Sequence, residues 1–131
     1  MKIQLAYKFT GENKEELQEI LQKVIELLRD KGHETYAPIF DFSYEGKTKE
    51  EIYTGTLDKL DESDAMFVLI RGEEKSEGML VELGYAIAKK KKIILAIKKG
   101  IESRTRYYAQ IIIEFRDIPD MLNKLKKLEI R

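Results

Sequence analysis

One stretch of the chain concentrates residues able to do chemistry: Ser76-Glu77-Gly78-Met79-Leu80-Val81-Glu82-Leu83-Gly84-Tyr85-Ala86. Ser76 is a natural helix N-cap. Gly78 has no side chain, so a ligand can approach the backbone there. The first-turn N–H groups of a helix have no intrahelical partner and form an anion site, suited to a phosphate or a sugar hydroxyl. Glu82 falls one turn further in, on the face of Gly78 and roughly over that first turn. The helix dipole is expected to hold its carboxylate ionised. An ionised, oriented carboxylate beside a sugar is what nucleophilic attack on an anomeric carbon requires. The plain alternative is a solvent-facing glutamate near a helix start. Gly84, inside the same helix, costs about 1 kcal/mol relative to alanine and suggests tight packing.

These residues need a scaffold, and hydrophobic spacing supplies one. Residues 2–7 read as a first strand. Leu17, Ile20, Leu21, Val24, Leu27 and Leu28 mark an amphipathic helix over 13–30, with Asn13 and Glu16 as its cap and Gly32 as its stop. A short strand over 33–37 ends at Pro38. Residues 38–49 read as a polar and aromatic loop. Thr48 and Glu51 form a capping box for a helix running to about Ser63. Ala65 to Ile70 is a continuous apolar run, the mark of a strand covered on both faces. The helix carrying Glu82 follows over 76–90, then a buried strand over 92–97. Residues 98–108 are ambiguous. A strand over 110–115 and a helix over 117–128, with Pro119 in its first turn, complete the chain.

Strand–helix alternation of this kind predicts a parallel sheet with helices on both faces. The expected fold is a single three-layer αβα domain over residues 1–131, doubly wound and flavodoxin-like, with strand order 2-1-3-4-5. Ligands in such sheets bind at the carboxyl ends of the strands where the order reverses. Here that crevice gathers residues 6–13, residues 71–78 and part of the 38–49 loop. A phosphoacceptor receiver domain shares this topology but needs acidic residues after strand one and an aspartate ending strand three. The chain has Tyr7-Lys8 and Ile70-Arg71 there.

Composition narrows the classes. The chain has 131 residues, 43% hydrophobic and 37% charged, enough for a core and too apolar for disorder. Basic and acidic residues balance at 24 each, so no global field attracts nucleic acid or an anionic membrane. The run Lys89 to Lys92 reads as a solvated helix end. With no cysteine and one histidine, thiol catalysis and disulfides are excluded and no metal site is expected. No run reaches the roughly 18–20 apolar residues of a membrane span, and none resembles a signal peptide, so the cytoplasm is expected.

The segment around Glu82 resembles the nucleoside 2-deoxyribosyltransferase family. That family includes base-exchanging transferases and 2′-deoxynucleoside 5′-phosphate N-hydrolases. Its pattern is a leucine-rich helix ending in Ser/Ala-Asp, an apolar strand, a loop with Ser or Asp, a Gly, then Glu-Leu-Gly-Tyr/Arg-Ala. The chain reads Leu57 to Asp64, Ala65 to Ile70, Ser76-Glu77-Gly78, then Glu82-Leu83-Gly84-Tyr85-Ala86, and continues as Lys91-Lys92-Ile93-Ile94-Leu95. The close match covers about residues 52–97, and the order of elements agrees throughout. The resemblance implies that Glu82 attacks C1′ and forms a glycosyl ester. Water then releases the sugar, or a second base takes it. Ser76 stands where the nucleotide hydrolases carry a serine that contacts the 5′-phosphate. The implied ligand is a small-molecule nucleoside or nucleotide without cofactor, and the implied assembly is a homodimer or higher oligomer.

Two positions depart from the family pattern. The aspartate that assists departure of the base is replaced by Thr56, which cannot act as a carboxylic acid. Glycosidic cleavage normally uses a proton donor. Asp41, Asp58 and Tyr53 are the candidate substitutes, each with surface or core packing as its ordinary role. After Ala6, the family's Gly and Ser or Pro give way to Tyr7-Lys8-Phe9-Thr10-Gly11. Gly11 suits a close turn, Lys8 a phosphate, and Tyr7 stacking on a base or sugar. Alternatively, Tyr7 and Phe9 cover the sheet end. His33 reads as structural. Asp58, Asp61 and Asp64 read as a helix edge. Arg104, Arg106, Tyr107 and Tyr108 suit a phosphate, an interface or a plain surface loop. The competing function is a non-catalytic nucleotide-binding or sensing module using the same crevice, which the change at Thr56 favours.

Overall fold

A computed structural model describes all 131 residues. Its centre is built from the two most apolar runs. β3 (Ala65–Ile70) is buried at every residue, and β4 (Lys92–Lys98) is buried from Ile93 to Ile97. Strands covered on both faces must read this way, because neither face meets water. β1 (Lys2–Tyr7) and β2 (Glu34–Tyr36) extend the sheet on one side, and β5 (Ile111–Phe115) extends it on the other. All pairings are parallel and the order is β2-β1-β3-β4-β5, as expected.

Alternation along the strands divides the apolar side chains between two cores. Phe67 and Leu69 of β3 point toward α1 (Lys14–Asp30) and α5 (Ile118–Lys127), meeting Leu21, Leu28, Met121 and Leu125. Met66, Val68 and Ile70 point the other way, toward α3 (Lys49–Glu62) and α4 (Glu77–Ala88), meeting Leu60, Met79, Leu83 and Ala86. No helix is long and apolar enough to cross a membrane.

The predicted caps form. The Asn13 side chain accepts from Glu16 N at 3.0 Å, and Thr48 and Glu51 make a reciprocal capping box. The 38–49 loop needs one correction. Residues Pro38–Asp41 form a helical turn, α2, before the chain becomes irregular. Proline ends β2 by lacking an N–H, and the same ring opens a helix with φ already set. Asp41 Oδ2 then accepts from Ala37 N at 2.9 Å and closes the turn. The ambiguous segment 98–108 contains a 3₁₀ turn at Arg104–Tyr107, capped by Ser103, with Thr105 buried beneath it. Gly84 is a second correction. A side chain there would meet nothing within 4 Å, so this helix face is open rather than tightly packed.

The strand carboxyl ends where order reverses are those of β1 and β3, at the Tyr7–Leu69 pairing. Phe67, fully buried, pairs with Leu5 of β1 two residues before that end and packs in the core beneath it. Phe67→Ala is expected to cost about 3–5 kcal/mol, read as a lowered midpoint in urea unfolding with an unchanged slope.

Candidate active site

Glu82 belongs to the buried stripe of α4. The buried residues Met79, Leu83 and Ala86 recur at helical spacing, and Glu82 shares their side of the helix. The stripe therefore carries a carboxyl group inward, against α3. The facing residue on α3 is Thr56, itself 8% exposed, whose hydroxyl lies within hydrogen-bonding reach of Glu82. Tyr7 from the end of β1 and Tyr44 from the loop before α3 are both close enough to feel the Glu82 charge.

This placement changes the expected charge state. Burial pushes the Glu82 carboxyl from 4.5 up to about 7, opposed by the Thr56 hydrogen bond. Such a rise corresponds to roughly 3 kcal/mol, whereas a helix terminus contributes about 0.3–1 kcal/mol. Desolvation wins over the dipole, so the group is poised near neutrality rather than held fully ionised.

Around Glu82 stands a cluster of phenols. The Tyr7 hydroxyl accepts from Ile39 N at 2.8 Å, which pins α2 to the end of β1. Burial raises the Tyr7 phenol strongly, and it lies near Tyr44 and Asp41 as well as Glu82. Tyr36, at the end of β2, is raised by burial and by Asp41 and Tyr44. Tyr44 packs edge-on against Phe42 at 4.9 Å, and the Phe42 ring would lie 3.0 Å from a Cβ at Gly55. The missing Cβ at Gly55 thus lets the aromatic loop lie against α3. Sequence reasoning missed Tyr36 and Tyr44. The aromatic density of residues 40–44 was the available signal for Tyr44.

The remaining candidates divide. Ser76 caps α4, its hydroxyl accepting from Met79 N at 3.2 Å, which leaves its own proton free to donate. Gly78 faces open space, as a ligand-approach position requires. Ala6 is buried beneath α4 in the second core. Gly11 adopts φ +81, and a side chain there would press on Lys8 Nζ at 3.4 Å. Lys8 donates to Thr10 O at 2.6 Å and pairs with Glu74 at 3.1 Å and Glu12 at 3.7 Å. Arg71 pairs with Glu12 and Glu16 across the same gap. Tyr7 covers the sheet end, whereas Phe9 is 49% exposed and does not.

Of the three substitutes for the absent acid, the structure brings one to the cluster. Asp41 is near Tyr7 and Tyr36, with one oxygen engaged by Ala37. Tyr53 is 64% exposed and turned to solvent, although its carbonyl accepts from Thr56 Oγ1 at 2.7 Å. Asp58 is exposed on α3. His33 sits just before β2, at the amino ends of the strands, beside the Met1 amine. Asp61 and Asp64 serve the Tyr85 hydroxyl and the Lys2 amide. Arg106 pairs with Glu114, Tyr107 is exposed, and Arg104 and Tyr108 line the wall of a cavity.

Two concavities flank the 71–76 loop. A cavity of about 170 Å³ lies at the β1–β3 switch point, lined by Tyr7, Lys8, Arg71 and Met79 among others. A larger one of about 550 Å³ lies between α4 and the 101–108 segment. Glu82 lines neither cavity, although Tyr7, which lines the smaller one, is close enough to feel its charge. The switch point therefore carries a small open cavity, with the Glu82 carboxyl near Tyr7 on its wall.

Comparison with known proteins gives a consistent result. The family model described as nucleoside 2-deoxyribosyltransferase matches residues 7–120. No curated protein sequence matches the chain. Among solved structures, the CMP N-glycosidase BcmB of Clostridium botulinum superposes with TM-score 0.73 at 21% identity, covering 95% of this chain and 98% of that one. The 2-deoxyribosyltransferase of Bacillus psychrosaccharolyticus gives TM-score 0.73 at 22% identity, covering 98% and 93%. The 2-deoxyribosyltransferase of Leishmania mexicana gives 0.63 at 18%, covering 84% and 73%. At these identities the structures establish a common fold.

The raised carboxyl has a consequence for stability. Unfolded Glu82 loses its proton near 4.5, and folded Glu82 near 7. Between those values the folded protein binds more protons, so stability falls as pH rises. Glu82→Gln removes this loss. Its stability relative to the parent is expected to be flat below pH ~4.5, to grow through the interval, and to level above pH ~7 at about 1–3 kcal/mol. Thermal melts across that range measure it.

Proposed function

The chain belongs to the nucleoside 2-deoxyribosyltransferase family, and on that premise we propose that it cleaves the N-glycosidic bond of a nucleoside or nucleotide with Glu82 as nucleophile. The observation that carries the reading is a carboxyl group brought inward on a helix stripe and faced by hydroxyls rather than by a cation. In its ionised form Glu82 attacks C1′. The C1′–N bond breaks, its electron pair leaves with the base, and a glycosyl ester remains. Water then attacks C1′ and restores the carboxylate, or a second base takes the sugar.

The other groups take supporting roles in this reading. The free N–H groups at the start of α4, the Ser76 hydroxyl and the open face of Gly78 receive the 5′ end of the sugar. A 5′-phosphate gains Lys8 if it displaces the exposed Glu74. This favours a nucleoside 5′-monophosphate and hydrolysis. Tyr7 and Tyr44, held as neutral phenols, surround the sugar and base with donors. Asp41 is assigned to orient a water that protonates the departing base, a role open to an ionised carboxylate. The α4 surface around Leu80, Val81 and the open Gly84 is assigned to a second copy, giving a homodimer or larger assembly.

One observation favours a second reading, a nucleotide-binding module without turnover: position 56 is a threonine, and no carboxyl group besides Glu82 meets the Thr56 hydroxyl. Free base released from a panel of ribo- and deoxyribonucleosides and their 5′-monophosphates separates the two. Catalysis is expected for at least one member, with kcat/KM rising with pH to a plateau above about 7. Glu82→Gln is expected to reduce kcat by roughly 10³-fold or more. Tight binding with no free base from any member selects the module instead.

A further inference from the structure

Gln4 is a fully buried amide on β1, facing the α3–α4 layer with its strand neighbour Ala6. Its Nε2 donates to the main-chain oxygen of Thr56 at 3.2 Å. Its Oε1 is buried without a partner. Across the β1–β2 ladder it stands opposite Tyr36, whose hydroxyl is a second buried group without a partner. A half-satisfied buried amide is destabilising relative to water, and a methionine would fill the same volume without that cost. Packing therefore does not explain a glutamine here. The one bond it makes is to the residue that touches Glu82.

We propose that Gln4 is a positioning residue: it ties the Thr56 turn of α3 to β1 and so keeps the Thr56 hydroxyl on the Glu82 carboxyl. The proposal rests on Glu82 as nucleophile. The Thr56 hydroxyl carries one proton, which it donates to the Tyr53 carbonyl at 2.7 Å. While Glu82 is protonated, it donates to the Thr56 oxygen. When Glu82 ionises, the hydroxyl turns and donates to the carboxylate instead. That exchange needs Thr56 at a fixed height above the sheet, and the Gln4 amide sets the height. The titratable groups facing Glu82 are Tyr7 from β1 and Tyr44 from the loop before α3. Both are raised and stay neutral throughout the range. α3 presents Thr56, which does not titrate.

The test follows the Glu82 carboxyl carbon by ¹³C NMR across pH, assigned by its disappearance in Glu82→Gln. It needs no turnover, so a failure to cleave nucleosides and a failure of this coupling are read separately. Thr56→Val is expected to move the midpoint upward by about half to one pH unit, the size of one lost hydrogen bond. Gln4→Met is expected to do the same, Thr56→Ser to restore the parent value, and the Gln4→Met/Thr56→Val pair to add nothing beyond the larger single shift. A Gln4→Met midpoint equal to the parent's, or fully additive shifts, overturns the proposal. If Gln4→Met does not fold, the unsubstituted protein decides. The Gln4 side-chain amide resonance is expected to titrate with the Glu82 midpoint, and a resonance flat across that range overturns the coupling.

Discussion

Everything at the site follows from one constraint: a carboxyl group occupies a position that helical periodicity reserves for the core. The α4 stripe that buries Met79, Leu83 and Ala86 takes Glu82 in with it. An isolated charge there is costly, so the group answers by holding its proton to about pH 7. A cation beside it would restore an ordinary acidity and hold the carboxylate in an ion pair. The surroundings instead supply hydroxyls, from Thr56, Tyr7 and Tyr44, which can share a proton without cancelling the charge.

The scaffold makes this arrangement affordable. β3 and β4 are buried along nearly their whole length, and two separate cores clamp the sheet from either side. α3 and α4 lie on the same face, so Thr56 and Glu82 meet between them while Leu60 and Leu83 carry the packing below. The Tyr7–Ile39 bond extends that rigidity to α2 and brings Asp41 near the same cluster.

How much of this was legible in the sequence depended on whether local pattern or three-dimensional neighbourhood decided it. Strand order, helix caps and the switch-point crevice follow from periodicity and cap chemistry, and they appear as read. Ser76 as cap and Gly78 as open ground follow equally from local rules. The Glu82 charge state does not, because a dipole argument sees the helix end and burial depends on what α3 brings opposite. Tyr44 was hidden for the same reason: it is distant in sequence from Glu82 and reaches its vicinity after a turn formed by Pro38 and Asp41, while Tyr36 lies at the end of β2 near Asp41 and Tyr44. Tyr53 lies three residues from Thr56, yet it is largely exposed while Thr56 is buried. Gly84 was read as a packing glycine, whereas its neighbourhood is empty in a single chain.

The loops after β1 and β3 form the two lips of the crevice, and ions stitch them together. Lys8 reaches across to Glu74, and Arg71 reaches back to Glu12 and Glu16. These contacts are partly exposed, so dissolved electrolyte screens them, while the buried Glu82 carboxyl is largely shielded from the same screening. The stitching of the loops and the charge of the carboxyl thus answer to different physics: ionic strength weakens the first, and proton activity sets the second.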